Sequence, residues 1–156
     1  MKVLDEREVN TMRKAYIVAA KRSAIGSFMG GLTNIKLVDL GATVLKETIK
    51  QSGIDPKDID EVLVGNVIAA GLGQNIGRQV SIAAGIPVEV CAQSINMLCG
   101  SGLKAVMEAA IRIQAGFGAI YVAGFLGTKQ SAQRRQDGRY EACRQHASRW
   151  PDRWHV

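Results

Sequence analysis

The residue best placed to do chemistry in this 156-residue chain is Cys99, within Ile95-Asn96-Met97-Leu98-Cys99-Gly100-Ser101-Gly102-Leu103-Lys104-Ala105-Val106. An apolar extended run from Ser94 to Leu98 breaks at Cys99 into a glycine-punctuated turn. A helical pattern then starts at Ser101 and continues to about Ala115. The spacing puts the thiol at a strand-to-helix corner, beside N–H groups that have no partner within the helix. Those groups and the positive end of the helix dipole favour an anion, so a thiol there is expected to lean toward its reactive thiolate form. Gly100 and Gly102 are expected to leave room for another backbone or for a substrate. The chemistry would be nucleophilic attack. The other reading is a small buried thiol filling a turn, and residue types and spacing leave both open.

Other constellations carry less. Cys91, Cys99 and Cys143 form an odd set without disulfide or metal spacing, which fits a reducing compartment better than a secreted, stapled domain. Cys143 near His146 imitates a Cys–His pair or half a metal site, but no further ligands accompany it. Carboxylates at 55, 58, 60 and 61 sit around a turn and a helix start, where acids commonly serve as caps, so no metal site is expected. Gly71-Leu72-Gly73-Gln74-Asn75-Ile76-Gly77 places its third glycine one position late for the dinucleotide fingerprint, and no acid follows at the required distance. Lys21-Arg22 before the glycines at 26, 30 and 31 could meet phosphate, but reads better as a solvated strand end.

The elements that must position Cys99 follow from periodicity. Ala15–Ala20 is a continuous apolar run expected as a strand covered on both faces. Leu37, Leu40, Val44, Leu45, Thr48 and Ile49 fall at helical spacing, with Gly53 as the cap. Val62–Ala70 reads as a second buried strand, residues 75–84 as a short helix closed by Gly85 and Pro87, and Cys91–Leu98 as a third strand. Lys104, Glu108 and Arg112 give the Ser101–Ala115 helix one narrow stripe of alternating charge, so most of its surface should be covered. Gly116–Gly118 ends that helix and Ala119–Ala123 makes a fourth strand. The order β-α-β-α-β-α-β implies an α/β fold, with a mostly parallel sheet, right-handed crossovers and helices on both faces.

Asn96-x-x-Cys99-Gly100-Ser101-Gly102-Leu103-x-Ala105-Val106, continued by Ile113, resembles the acyl-enzyme cysteine signature of the thiolases. Ala-Ala-Lys-Arg-Ser-Ala-Ile-Gly at 19–26 is similar to the opening strand and loop of that family. Gly-x-Gly-Gln-Asn-x-x-Arg-Gln at 71–79 resembles its segment approaching the partner subunit near the cysteine. The resemblance covers about Ala15 to Gly124 and implies the N-terminal half of a thiolase, incomplete. It makes Cys99 the residue that takes an acyl group from a coenzyme A thioester. It also implies two half-reactions: acylation with release of coenzyme A, then attack by a carbanion formed from a second acetyl-CoA, giving acetoacetyl-CoA, or the reverse thiolysis. No tightly bound cofactor is implied, acyl-CoA is the substrate, and a homo-oligomer (dimer or tetramer) is the expected assembly. In thiolases a histidine and a second cysteine from the C-terminal half move the protons. Here the only histidines, His146 and His155, lie outside any family motif, as does Cys143. The chain is therefore expected to hold the nucleophile half of the site and to be inactive alone. A ketoacyl synthase also places a cysteine at such a corner, but the Asn-x-x-Cys-Gly-Ser-Gly string is more thiolase-like.

Composition bounds the rest. A hydrophobic content of 47% suits a globular core, and a chain of this size buries roughly 68–70% of its unfolded surface. Residues 1–14 read as a polar leader without an apolar signal segment, and Met12 is a candidate true start. No apolar run approaches the ~20 residues needed to span a bilayer, so a soluble, cytoplasmic protein without membrane contact is expected. Of the net charge of +6, most belongs to residues 128–156, with seven basic and three acidic side chains. After Val122-Ala123-Gly124 the family pattern stops, and from Ser131 onward Val156 is the only aliphatic residue larger than alanine. A segment so composed cannot extend a core, so residues 125–156 are expected to be a disordered basic tail, arising from a frameshifted or altered reading of the gene. The arginines with Trp150 and Trp154 suggest nucleic-acid binding, but without a folded aromatic platform that reading is set aside. The remaining alternative is a non-catalytic half-domain pairing with a chain that carries the missing histidine and cysteine. The central helix, lacking its covering layer, predicts self-association of the isolated chain.

Overall fold

The computed structural model describes residues 13–27, 30–127, 133–134 and 140–141. The leader up to residue 12, Cys143, both histidines and both tryptophans lie outside the described residues, as does nearly all of the tail expected to be disordered. Two compact units are present, residues 1–23 with 36–128 and residues 24–35 with 129–156.

The larger unit runs α1 (Leu37–Ser52), a 3-10 turn (Pro56–Asp58), β1 (Glu61–Asn66), α2 (Ile76–Ala83), β2 (Cys91–Ile95), α3 (Ser101–Ala115) and β3 (Tyr121–Leu126). The three strands form one parallel sheet in the order β2-β1-β3, with Glu61 opposite both Cys91 and Tyr121 and Gly65 opposite both Ile95 and Phe125. As the central strand, β1 is covered on both faces. Val62 and Val64 pack with Ala42, Leu45, Val80 and Ala84 on the α1/α2 side. Leu63 points the other way, against Ala105 and Ala109 of α3. Each such aliphatic side chain withdrawn from water contributes about 1.5–3 kcal/mol. The parallel sheet with helices on both faces agrees with the sequence reading.

Helix boundaries follow local chemistry. Gly53 at φ 70° closes α1, its N–H donating to Ile49 O at 3.2 Å, and Gly116 at φ 80° closes α3. The carboxylates near the 3-10 turn do structural work. Asp55 accepts from Lys57 N at 3.1 Å, while Asp60 Oδ2 accepts from Ala119 N at 2.7 Å and Ile120 N at 2.9 Å, tying the entry of β3 to that of β1. Glu61 takes a hydrogen bond from Gln93 at 3.0 Å and an ion pair from Arg112. On α3, Lys104 meets Glu108 at 2.6 Å, as the charged stripe implied.

Two expectations are corrected. Ala15–Ala20 forms no strand: Tyr16, Ile17 and Val18 are 75%, 81% and 69% exposed, because no sheet edge pairs with them. The run expected to continue to Ala70 leaves the sheet at Asn66 and becomes an exposed loop. Beyond the expected end of the fourth strand, β3 continues through Gly124 to Leu126, where Leu126 O accepts from the buried Asn66 side chain at 3.1 Å.

In the smaller unit, Ala24–Ile35 turns tightly, with Gly30 N donating to Ser27 O at 3.0 Å and Thr33 N to Gly30 O at 2.9 Å. The same unit holds a short antiparallel ladder of β4 (Gln133–Arg134) and β5 (Tyr140–Glu141).

Candidate active site at the β2–α3 corner

The chain leaves β2 at Ile95 and reaches α3 at Ser101 through five residues, a span held by two polar side chains. Asn96 Nδ2 donates to Val67 O at 2.9 Å, fastening the corner to the loop after β1, and its Oδ1 accepts from Leu98 N at 3.1 Å. Ser101 Oγ accepts from Met97 N at 2.9 Å and donates to Leu98 O at 2.6 Å. Between these anchors Leu98 adopts φ 48°, a left-handed conformation costing a non-glycine residue about 1–3 kcal/mol. Cys99 follows, exposed and free. A side chain thrust out at a strained strand-to-helix turn is the geometry of a nucleophile elbow.

The helix end at this corner is set against the sheet by glycine. A Cβ on Gly65 would sit 2.6 Å from both the carbonyl carbon and oxygen of Ser101, so no other residue allows α3 to rest so close on β1. Gly102 is packed likewise, its would-be Cβ 2.8 Å from Phe125 Cβ. The space at Gly100 is taken by Met97, whose Cε lies 2.5 Å from a Cβ there. The room expected beside Gly100 and Gly102 is thus filled by this chain's own side chains, and the open side of the corner is that of Cys99. The N–H groups of Gly100 and Ser101 donate to Met97 O and Leu98 O, each at 3.0 Å, and the first turn of α3 has no side-chain cap, so the positive end of the helix dipole and the N–H groups after Ser101 are what this helix start offers an anion.

The motif at 71–79 is absorbed by its own fold. Asn75, at φ 40°, caps α2 by accepting from Arg78 N at 3.1 Å, accepts from Ser94 Oγ at 3.1 Å and donates to Ala92 O at 2.9 Å. Arg78 donates to Val90 O at 2.6 Å and Val88 O at 2.5 Å. Gln79 Nε2 donates to Leu72 O and Gln74 O, each at 2.8 Å, bracing the glycine-containing loop before α2. Sequence reading missed the roles of Asn96, Ser94 and Arg78, since their partners, the Val67, Val88 and Val90 carbonyls and the Asn75 side chain, are distant along the chain and no local spacing announces them.

Lys21, Arg22 and Ser23 line a shallow groove of about 240 Å³ with Leu40, Thr43, Val44 and Glu47 of α1. Both basic residues are exposed, in keeping with a solvated chain segment. Cys91 starts β2, at the opposite end of the sheet from Cys99. Among the described residues no group of three or more His, Cys, Asp or Glu could hold a metal ion, and no helix is long and apolar enough to cross a membrane.

The family model described as "Thiolase, N-terminal domain" matches residues 15–143, past the Gly124 at which the sequence resemblance was placed to end. An acetyl-CoA acetyltransferase of Escherichia coli is 50% identical over 113 residues, 72% of this chain and 29% of that protein. A crystallographic Ascaris suum thiolase in complex with coenzyme A superposes with a TM-score of 0.66 at 46% identity, covering 68% of this chain and 28% of that one. A Bacillus anthracis acetyl-CoA acetyltransferase gives a TM-score of 0.72 at 37% identity, covering 85% and 36%. The chain spans less than a third of the length of the full-size relative from E. coli. With the cysteine corner, the parallel sheet and this family match in agreement, the chain belongs to the thiolase family, within its N-terminal domain.

Proposed function

We propose that Cys99 is the acyl-accepting nucleophile of thiolase-type transfer between coenzyme A thioesters. Its thiolate attacks the thioester carbonyl carbon, the carbon–sulfur bond to coenzyme A breaks, and coenzyme A leaves as a thiolate that takes up a proton. The product is an acyl thioester on Cys99 plus free coenzyme A. The observation that carries this reading is the exposed, free thiol immediately after a left-handed Leu98 and at the uncapped start of α3. Helix N–H groups on that side can stabilise the negative charge that develops on the carbonyl oxygen. Carbon–carbon bond formation needs a base for the second acetyl-CoA, and among the described residues there is no histidine to serve. This chain accordingly supplies the nucleophile half. The chemistry is that of a reducing, cytoplasmic setting, in keeping with the two free cysteines.

The test is incubation of the reduced chain with acetyl-CoA, followed by peptide mass analysis and a free-thiol assay. One acetyl group on the peptide containing Cys99, matched by released coenzyme A and lost in Cys99→Ser but kept in Cys91→Ser, is the expected result. Acetylation divided equally among the cysteines, or none, overturns the proposal.

A second reading rests on α3, where Leu103, Val106, Met107 and Ile111 are exposed. It makes the chain an interaction half that docks a partner supplying the missing histidine and cysteine. Acyl transfer restored only on adding such a chain would favour it.

A further inference from the structure

Two half-exposed apolar side chains stand at the first turn of α3 without serving either core cluster. Met97 and Phe125 are each 49% exposed, and neither packs into the cluster around Val62 and Val64 or the one around Leu63. The two glycines of the corner give them their places. The Met97 methyl carbon lies 2.5 Å from where a Cβ on Gly100 would stand, so the thioether lies across the residue that follows Cys99. Phe125 Cβ and Cγ lie 2.8 Å and 3.3 Å from the corresponding point on Gly102.

Both contacts fall beside the thiol. The bonds from Gly100 N to Met97 O and from Ser101 N to Leu98 O, each 3.0 Å, carry the helical winding back through Cys99. On such a spiral residues three apart are surface neighbours, so Phe125, packed over Gly102, stands on the face that Cys99 shares. Met97 closes over Gly100, the next residue round the turn. In the sheet Phe125 is opposite Gly65, the strand position on which the Ser101 carbonyl rests, and this register holds it at the same helix end.

We propose that Met97 and Phe125 set the acyl-chain preference of Cys99, making its substrates coenzyme A thioesters of short saturated acyl chains, with butanoyl favoured over acetyl. The proposal rests on Cys99 being the acyl acceptor. An acyl group bonded to that sulfur sends its methylenes out beside a thioether and a phenyl ring, and each methylene so covered leaves water. Full withdrawal of one methylene is worth about fourfold and half withdrawal about twofold. Butanoyl, with two methylenes more than acetyl, should therefore react about four- to sixteenfold faster. The unbranched, adaptable Met97 side chain can follow the chain that lies on it.

The experiment measures acylation of Cys99 in the reduced full chain by acetyl-CoA and by butanoyl-CoA, each rate divided by that of the same thioester with glutathione. It is repeated in Met97→Ala, Phe125→Ala, Met97→Leu and Ile111→Ala, the last an exposed apolar residue about three turns further along α3. Alkylation of Cys99 by iodoacetamide reports on the thiol itself in each variant. The expected result is a butanoyl preference of about fourfold or more. It falls at least twofold in each of Met97→Ala and Phe125→Ala and is kept in Met97→Leu and Ile111→Ala, with alkylation unchanged throughout. Equal rates for the two thioesters, or a preference that survives both alanine variants, overturns the proposal and leaves Cys99 standing as acyl acceptor. Alkylation that falls in step with both acylations also overturns it, since the side chain then supports the thiol and does not touch the acyl chain. No acylation of Cys99 by either thioester removes the acyl-acceptor reading and this one with it.

Discussion

The hydroxyl of Ser101 donates to the carbonyl of Leu98 at 2.6 Å while accepting the N–H of Met97 at 2.9 Å, and its side chain is closed to solvent. One buried oxygen thus clamps the Asn96–Met97 and Leu98–Cys99 peptide groups, on either side of Met97–Leu98. Ser101→Ala leaves the Met97 N–H without its partner, while Leu98 O keeps the Ser101 N–H at 3.0 Å, and is expected to cost about 1–3 kcal/mol of stability. It should also free Leu98 from its left-handed conformation. Denaturant titration reads the first effect. The second is read by alkylation kinetics at Cys99 with Cys91 as internal reference, the ratio of the two rates changing in the variant.

Gly65→Ala is expected to be worse than its size suggests. The added methyl meets the Ser101 carbonyl at 2.6 Å, an atom of the main chain that cannot swing aside. Overpacking of this kind costs about 1–3 kcal/mol. Because the displaced element is the start of α3, thioester-dependent acylation of Cys99 should fall more steeply than its reaction with a small alkylating agent.

The reading of the sequence succeeded where chemistry is local. The Ser101–Ala115 helix was legible to its ends because a glycine-rich turn starts it and Gly116 stops it. The Leu37 helix and its Gly53 cap were legible for the same reason. It failed at Ala15–Ala20, since an apolar run announces that a segment can be a strand but says nothing of whether an edge is present to receive it. Cys99 was visible as a corner residue, whereas the anchors of that corner were not. Asn96 bonds to Val67, 29 residues away, and Ser94 to Asn75, 19 residues away.

Arg78→Ala should detach the turn that carries the chain from α2 into β2. The guanidinium bridges Val88 O and Val90 O, and losing both charge-assisted bonds is expected to cost about 1.5–3 kcal/mol. Arg78→Lys recovers only part, since an ammonium cannot present the same planar fork. Hydrogen exchange along Val90–Ala92 is the local readout.

Burial first, and the nearby Asp60 carboxylate second, raise the Tyr121 hydroxyl above its ordinary value of 10.0. The folded chain holds that proton more tightly than the unfolded chain. Its contribution to stability is therefore complete below pH 10 and is lost as pH rises through the higher folded value. Absorbance titration should show a tyrosine ionising late, and Tyr121→Phe should flatten the alkaline fall in stability. Ionisation at the ordinary value would contradict the prediction.

Leu63 is fully buried beneath α3, and Leu63→Ala is expected to cost about 2–5 kcal/mol by transfer and cavity terms together. A melt shifted by the smaller loss of an exposed leucine would show that α3 does not seat on β1.

The contact of Ser101 with Gly65 makes the innermost strand of the sheet a bearing surface for the sulfur's support. The peptide joining Ser101 to Gly102, in the first turn after the thiol, is seated on β1, the strand packed from both sides, so thermal motion at the helix tip is resisted by the stiffest part of the chain. An exposed reactive atom can in this way be as accurately located as a buried one, and that accuracy is lost together with the sheet.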